Sequence, residues 1–202
     1  MIHLYAFATD LSGLPAVDGL DGEPLQVRAF DELAAVVSVR RRETTAACLR
    51  EDAVVHGTVV ESLVPLATAV LPVRFGEVSA DDDELERAVR ERCTDLRRSL
   101  ARVRGCVEIG VRVADVPAPR AETGTDYLRS RQAGGGEQLH AELRPVARAT
   151  RRRAGAAAYL VARPDVPEIE RRVHAFTAAH PEVGVVCTGP WAPYSFATEQ
   201  AR

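Results

Sequence analysis

The sequence predicts an α+β protein made of two small α+β domains and a C-terminal tail, on three observations. An alternating strand opens the chain. A long amphipathic stretch ends at a glycine near its middle. Strand and helix patterns then alternate through the second half. The expected limits are 1–104 and 105–188 for the domains and 189–202 for the tail. A chain of 202 residues buries about 70% of the surface it exposes when unfolded, so it needs no covalent staples.

Ile2, Leu4, Ala6 and Ala8 alternate with His3, Tyr5, Phe7 and Thr9, and both sets are mostly apolar, which predicts a central strand. Ser12–Pro24 is rich in Gly, Pro and Asp and reads as turns. Leu25–Phe30 and Leu33–Val39 predict a hairpin. Arg40, Arg41 and Arg42 close it and read as a solvated edge or loop. A helix is expected from Thr45 to Leu66, where Val55, Val59, Leu63 and Leu66 recur at helical spacing and Pro65 kinks or closes the last turn. Ala69–Phe75 predicts a strand that Pro72 confines to an edge or bulge.

The clearest element is Asp81–Arg104. Leu85, Val89, Cys93, Leu96, Leu100 and Val103 form one apolar stripe. Asp81, Asp82, Asp83 and Glu84 suit the positive helix start, and Arg97, Arg98, Arg102 and Arg104 the negative end. Gly105 is a natural stop. In the second half, Cys106–Val113 predicts a strand and Pro117 and Pro119 a loop. Thr125–Arg153 has a helical pattern through Leu139, Leu143 and Val146, with a break or mobile loop expected at Gly134, Gly135 and Gly136. Ala156–Ala162 predicts a strand. Asp165 caps a helix near Pro167 with Ile169, Val173 and Phe176 inward, and Pro181 ends it. Val183–Cys187 is the last expected strand, and Thr188–Arg202 the tail.

Charge and composition exclude several functions. Hydrophobic residues are 46% and charged residues 27%, which suits a globular chain and not a disordered one. All 26 basic residues are Arg, so lysine Schiff bases and P-loop lysines are absent. Residues 1–104 carry 13 arginines against 18 acids, and residues 105–202 carry 13 against 11. The basic excess of a nucleic-acid binder is missing. No apolar run is long enough to span a bilayer, and MIHLYAFATD lacks a basic start and a cleavage site, so the expected location is cytoplasmic. Cys48, Cys93, Cys106 and Cys187 form no C-x-x-C pair and read as free thiols, with no zinc site expected.

No phosphate-binding loop, nucleophile elbow or H-E-x-x-H motif occurs, and no catalytic, cofactor-binding or metal residue is expected. His56 follows Asp52 by four residues, with Glu61 five further on; together with Arg74 these could form an acid–base group, or a polar cluster at a surface or interface. Two stretches stand out. In Leu71-Pro72-Val73-Arg74-Phe75-Gly76, an arginine between apolar neighbours on an expected strand calls for a carboxylate partner, Glu61 or an acid of the second domain. In Gly189-Pro190-Trp191-Ala192-Pro193-Tyr194-Ser195-Phe196, three aromatic rings gather near the chain's end. Either this tail packs back on the body as a fixed strap bridging the domains, with Trp191 largely buried, or it docks on a partner through Trp191, Pro193, Tyr194 and Phe196.

Together with the Leu4-Tyr5-Ala6-Phe7 strand, the His56 helix and Gly124-Thr125-Asp126-Tyr127-Leu128, these stretches resemble the gas vesicle protein L/F family over nearly the whole chain. Ala192, where the family more often has proline, and the Gly134–Gly136 run depart from its pattern. The resemblance implies a C-terminal domain with a modified ferredoxin-like fold. It also implies a non-enzymatic gas vesicle accessory protein, a minor component or assembly factor located at the gas vesicle. Its partners would be the shell-forming subunit and other gas vesicle accessory proteins, without nucleic acid, membrane or cofactor. The alternative is a small-molecule-binding or enzymatic α+β protein using His56, Glu61 and Arg74.

Overall fold

The computed structural model describes residues 1–41, 48–115, 135–153 and 155–197. The chain divides into two compact units, Met1–Cys106 with Trp191–Arg202, and Val107–Pro190.

In the first unit, β1 (Ile2–Thr9), β2 (Gln26–Phe30), β3 (Leu33–Val39) and β4 (Ala69–Pro72) pair in the order β2-β3-β1-β4, with β5 (Val78–Ser79) also on β1. Every pairing is antiparallel, and β1 is central as its sequence predicts. The β2–β3 hairpin turns at Asp31, whose φ of 53° is left-handed, a region Asp tolerates better than bulkier residues. The simple alternation along β1 does not hold, because a bulge shifts the register between Leu4 and Ala6. Tyr5, Ala6 and Ala8 therefore share one core with Val59, Val60 and Leu63 of α1 (Leu49–Leu63), while Leu4 and Phe7 line the side of Leu85, Val89 and Leu96 of α2 (Asp82–Val103). A short 3-10 turn, Val64–Leu66, holds Pro65 after α1. The expected helix start at Thr45 lies outside the described residues.

α2 begins as its sequence reads. Asp81 Oδ1 accepts the Glu84 N–H at 2.9 Å, and Glu84 Oε2 accepts the Ala80 N–H at 2.5 Å, a reciprocal cap. Gly105 follows at φ 67°, a conformation that favours glycine at a helix end. Leu85, Val89, Leu96, Leu100 and Val103 are buried, whereas Cys93 is only partly so. Cys106 is also buried, but Cys187 is exposed, unlike a small core hydrophobe.

The second unit contains β6 (Cys106–Asp115), α3 (Gly135–Leu143), β7 (Ala149–Arg153), β8 (Ala156–Ala162), α4 (Val166–Ala179) and β9 (Val183–Trp191). Its strand order, β7-β8-β6-β9, is the ferredoxin-like order. Ile109, Val111, Tyr159 and Val161 of the sheet pack against Leu139, Leu143, Ile169, Val173 and Phe176 of the helices. Gly135 and Gly136 lie in the first turn of α3, and Gly134 and the residues before it, where a break is expected, lie outside the described ones. Two expectations are corrected. The helix stops at Leu143, two residues before Pro145, which disfavours helix at Arg144, and Ala149–Arg153 forms a strand against Ala156–Leu160. Finally, β9 runs on to Trp191, so Thr188–Trp191 is strand and not tail. No described helix is long and apolar enough to cross a membrane.

Candidate functional site

The first unit's core holds an unusual number of polar side chains. His3 on β1 and His56 on α1 are 0% and 2% exposed, with His3 Nε2 and His56 Nδ1 2.9 Å apart. His56 Nε2 lies 3.0 Å from the Val73 carbonyl, which can only accept. His56 therefore carries its proton on Nε2, its Nδ1 accepts, and His3 Nε2 donates. His3 Nδ1 is left unprotonated and without a hydrogen-bond partner. This arrangement fits two neutral imidazoles. Burial, then the neighbouring His56 and the Arg40 guanidinium, lower His3 to about 3, against a smaller opposing pull from Asp52. Burial also lowers His56.

Tyr5 and Phe75 complete the aromatic group, with Phe75 5.8 Å from His3 and 5.7 Å from His56 between ring centroids. The Tyr5 hydroxyl accepts the Leu20 N–H at 2.7 Å and lies 2.9 Å from Ser38 Oγ. Gly19 sits so close that a Cβ there would lie 2.6 Å from this hydroxyl, which explains a glycine at that position. Arg40 is not solvated. It is 5% exposed and reaches Asp52 at 2.5 Å and Asp21 at 3.6 Å, while Arg41 beside it does extend outward, to Glu23.

β4 ends at Pro72, and Val73–Glu77 leaves the strand as an excursion. It is fastened on both sides to β1, by Val73 N–H to the Tyr5 carbonyl at 2.9 Å and Leu4 N–H to the Glu77 carbonyl at 3.1 Å. A turn closes it from Arg74 to Glu77, with Gly76 at φ 98°. Phe75 points back to the histidines. Arg74 is exposed at the turn's corner, which overturns the expected buried ion pair: the strand stops before Arg74 reaches it. Glu61 faces elsewhere, both carboxylate oxygens accepting the Ala192 N–H, at 2.9 and 3.0 Å. Asp52 goes to Arg40 and not to His56. His56 and Glu61 thus have separate partners, Arg74 is exposed, and the three form no acid–base group.

Past β9 the chain joins the first unit, with Ala192, Pro193 and Phe196 buried. Arg102 Nη2 donates to the Phe196 carbonyl at 2.6 Å, and a 3-10 turn, Tyr194–Phe196, closes the segment. Trp191 is 47% exposed, contrary to the expected burial, and Tyr194 is 37% exposed. Trp191 is the outward residue that ends β9, so the anchoring falls to Ala192, Pro193 and Phe196. Partial burial and the nearby Glu61 carboxylate push the Tyr194 phenol up. Position 192 matters chemically, since proline has no N–H to give Glu61. Among the described residues no three His, Cys, Asp or Glu side chains gather as a metal would require.

The family model for gas vesicle synthesis protein GvpL/GvpF matches residues 1–126 and 120–198. The chain is 30% identical over 247 residues to gas vesicle protein L of Streptomyces sp. strain CB03234, covering 96% of this chain and 92% of that protein. It is also 30% identical over 209 residues to gas vesicle protein F2 of Halobacterium salinarum, covering 96% and 91%. Crystal structures of GvpF from Anabaena sp. PCC7120 (TM-score 0.79, 19% identity, 99% and 97% covered) and Microcystis aeruginosa (TM-score 0.78, 18% identity, 98% and 99% covered) share the fold. The chain belongs to the GvpL/GvpF family of gas vesicle synthesis proteins.

Proposed function

We propose that the protein is a non-enzymatic gas vesicle accessory factor that binds the shell-forming subunit through the face of the first unit where Trp191 and Tyr194 stand. The observation that carries this reading is a division of labour within six residues: Ala192, Pro193 and Phe196 are buried anchors, and Trp191 and Tyr194 remain exposed. Rings held in this way lose little freedom on docking, and Trp and Tyr are favoured interface anchors.

The test is capture of the purified shell-forming subunit by the full chain and by a Trp191→Ala/Tyr194→Ala double variant, with melting curves recorded for both. Loss of capture in a variant that melts like the parent supports the proposal. Equal capture by both proteins overturns the assigned surface, and no capture by the parent chain overturns shell-subunit binding itself.

A further inference from the structure

In the second unit, a cavity of about 280 Å³ lies between Gly135–His140 of α3 and the β7–β8 hairpin. Val111, Leu139 and Ala157 give it apolar walls, while Gly136 and Gly155 add no side chain. This volume is near the low end for ligand sites and suits a group the size of one amino acid.

Its polar groups are ordered. The Tyr159 hydroxyl lies 3.0 Å from His140 Nδ1. Burial lowers His140 and pushes Tyr159 up to about 12, so both are neutral. The charges that remain are Arg152, Arg153 and Glu137. Both oxygens of Glu137 accept from the two terminal nitrogens of Arg152, a fork-on-carboxylate pairing. Arg153 lines the same cavity, is exposed, and has no ion-pair partner among the described residues. Among the described residues the cavity therefore has one unmatched positive charge. Glu137, its side chain 69% exposed, can swing to solvent without opening the core.

We propose that this cavity binds a single carboxylate on a short apolar stem. The carboxylate pairs with Arg153 and competes with Glu137 for the Arg152 fork, and the stem lies against Val111, Leu139 and Ala157. Glu137 acts as a built-in stand-in for the ligand. The inference concerns the second unit and is independent of shell-subunit binding by the first.

The probe is N-acetyl-leucine titrated into the full chain, followed by side-chain NMR of His140 and the arginines, with N-acetyl-leucinamide as the neutral control. Saturable binding of the acid alone is expected. Arg153→Gln should weaken it about tenfold, and Glu137→Gln should tighten it severalfold by removing the internal competitor. Both positions are exposed, and unchanged melting curves confirm that the variants fold. The proposal is overturned if the amide binds as well as the acid, if Arg153→Gln leaves affinity unchanged, or if neither the parent nor Glu137→Gln saturates by about 50 mM.

Discussion

The sheet of the first unit and that of the second share a strand order, second-third-first-fourth, yet their first crossovers differ. In the second unit the described part of that crossover is α3, seated by Leu139 and Leu143 in an apolar core. In the first unit residues 10–25 contain no α-helix, only a 3-10 turn at Leu20–Gly22. Leu20 is its apolar anchor, and side chains do the rest: the Tyr5 hydroxyl takes the Leu20 N–H, and Arg40 faces Asp21. One topology is thus closed by an apolar stripe in one place and by a buried polar network in the other. Such a network is stabilising only while every member is present and in the right charge state.

The largest expected effect follows at Arg40. Arg40→Met removes the guanidinium that pairs with buried Asp52, and the first unit should lose about 3–5 kcal/mol, read from hydrogen exchange of β1 and β3 amides. A loss below about 1 kcal/mol would show that the network does not hold the crossover. Gly19→Ala should come next, at about 1–3 kcal/mol, because the new methyl meets the Tyr5 hydroxyl and Ser38. Gly13→Ala, in the same segment but with open space, is the control and should stay within about 0.5 kcal/mol.

Acid should separate the units more gently. The unfolded chain protonates its histidines near 6.5, but folded His3 does so only near 3. Its contribution is complete above 6.5 and is lost as pH falls from there towards 3. By pH 5.5, His3 alone removes about 1.4 kcal/mol. His56, also lowered, acts in the same direction. Burial also lowers His140 beside β8, so both units should weaken as pH falls from 7 to 5.5, the β1 amides more than the β8 amides, and His3→Phe should narrow the difference; an unchanged difference in that variant would exonerate His3. The smallest effect belongs to Arg152→Gln. That arginine also pairs with a carboxylate, but in solvent, and its loss should leave the melting temperature unchanged. A clear drop would erase the contrast with Arg40.

Elements with strong local signals were readable from sequence. α2 has a stripe, an acidic start and a terminal glycine, and all three appear in the structure, where Asp81 and Glu84 of that start also form the cap. β7 was hidden because Ala-Thr-Arg-Arg-Arg has neither period, and its strand character comes from pairing with β8; Pro145 was the available stop signal. The network of the first unit was less visible. His56 could be singled out, but His3 joins it only because of pairings across the fold, and Tyr5 joins Ala6 in one core through the bulge. Arg40 differs from Arg41 only in which way the chain turns after β3. Arg74 looked buried because its neighbours are apolar, although Phe75 alone among them turns inward to the histidines.

The excursion at Val73–Glu77 also governs whether this sheet can grow. A second extended chain approaching the outer side of β4 and β5 would meet four residues of ladder, a five-residue gap, and two more. Pro72, at the brink of the gap, has no N–H to offer. Copies cannot stack edge to edge along that side into a fibre. A protein proposed to work beside a self-assembling shell subunit is in this way prevented, on one flank, from polymerising itself.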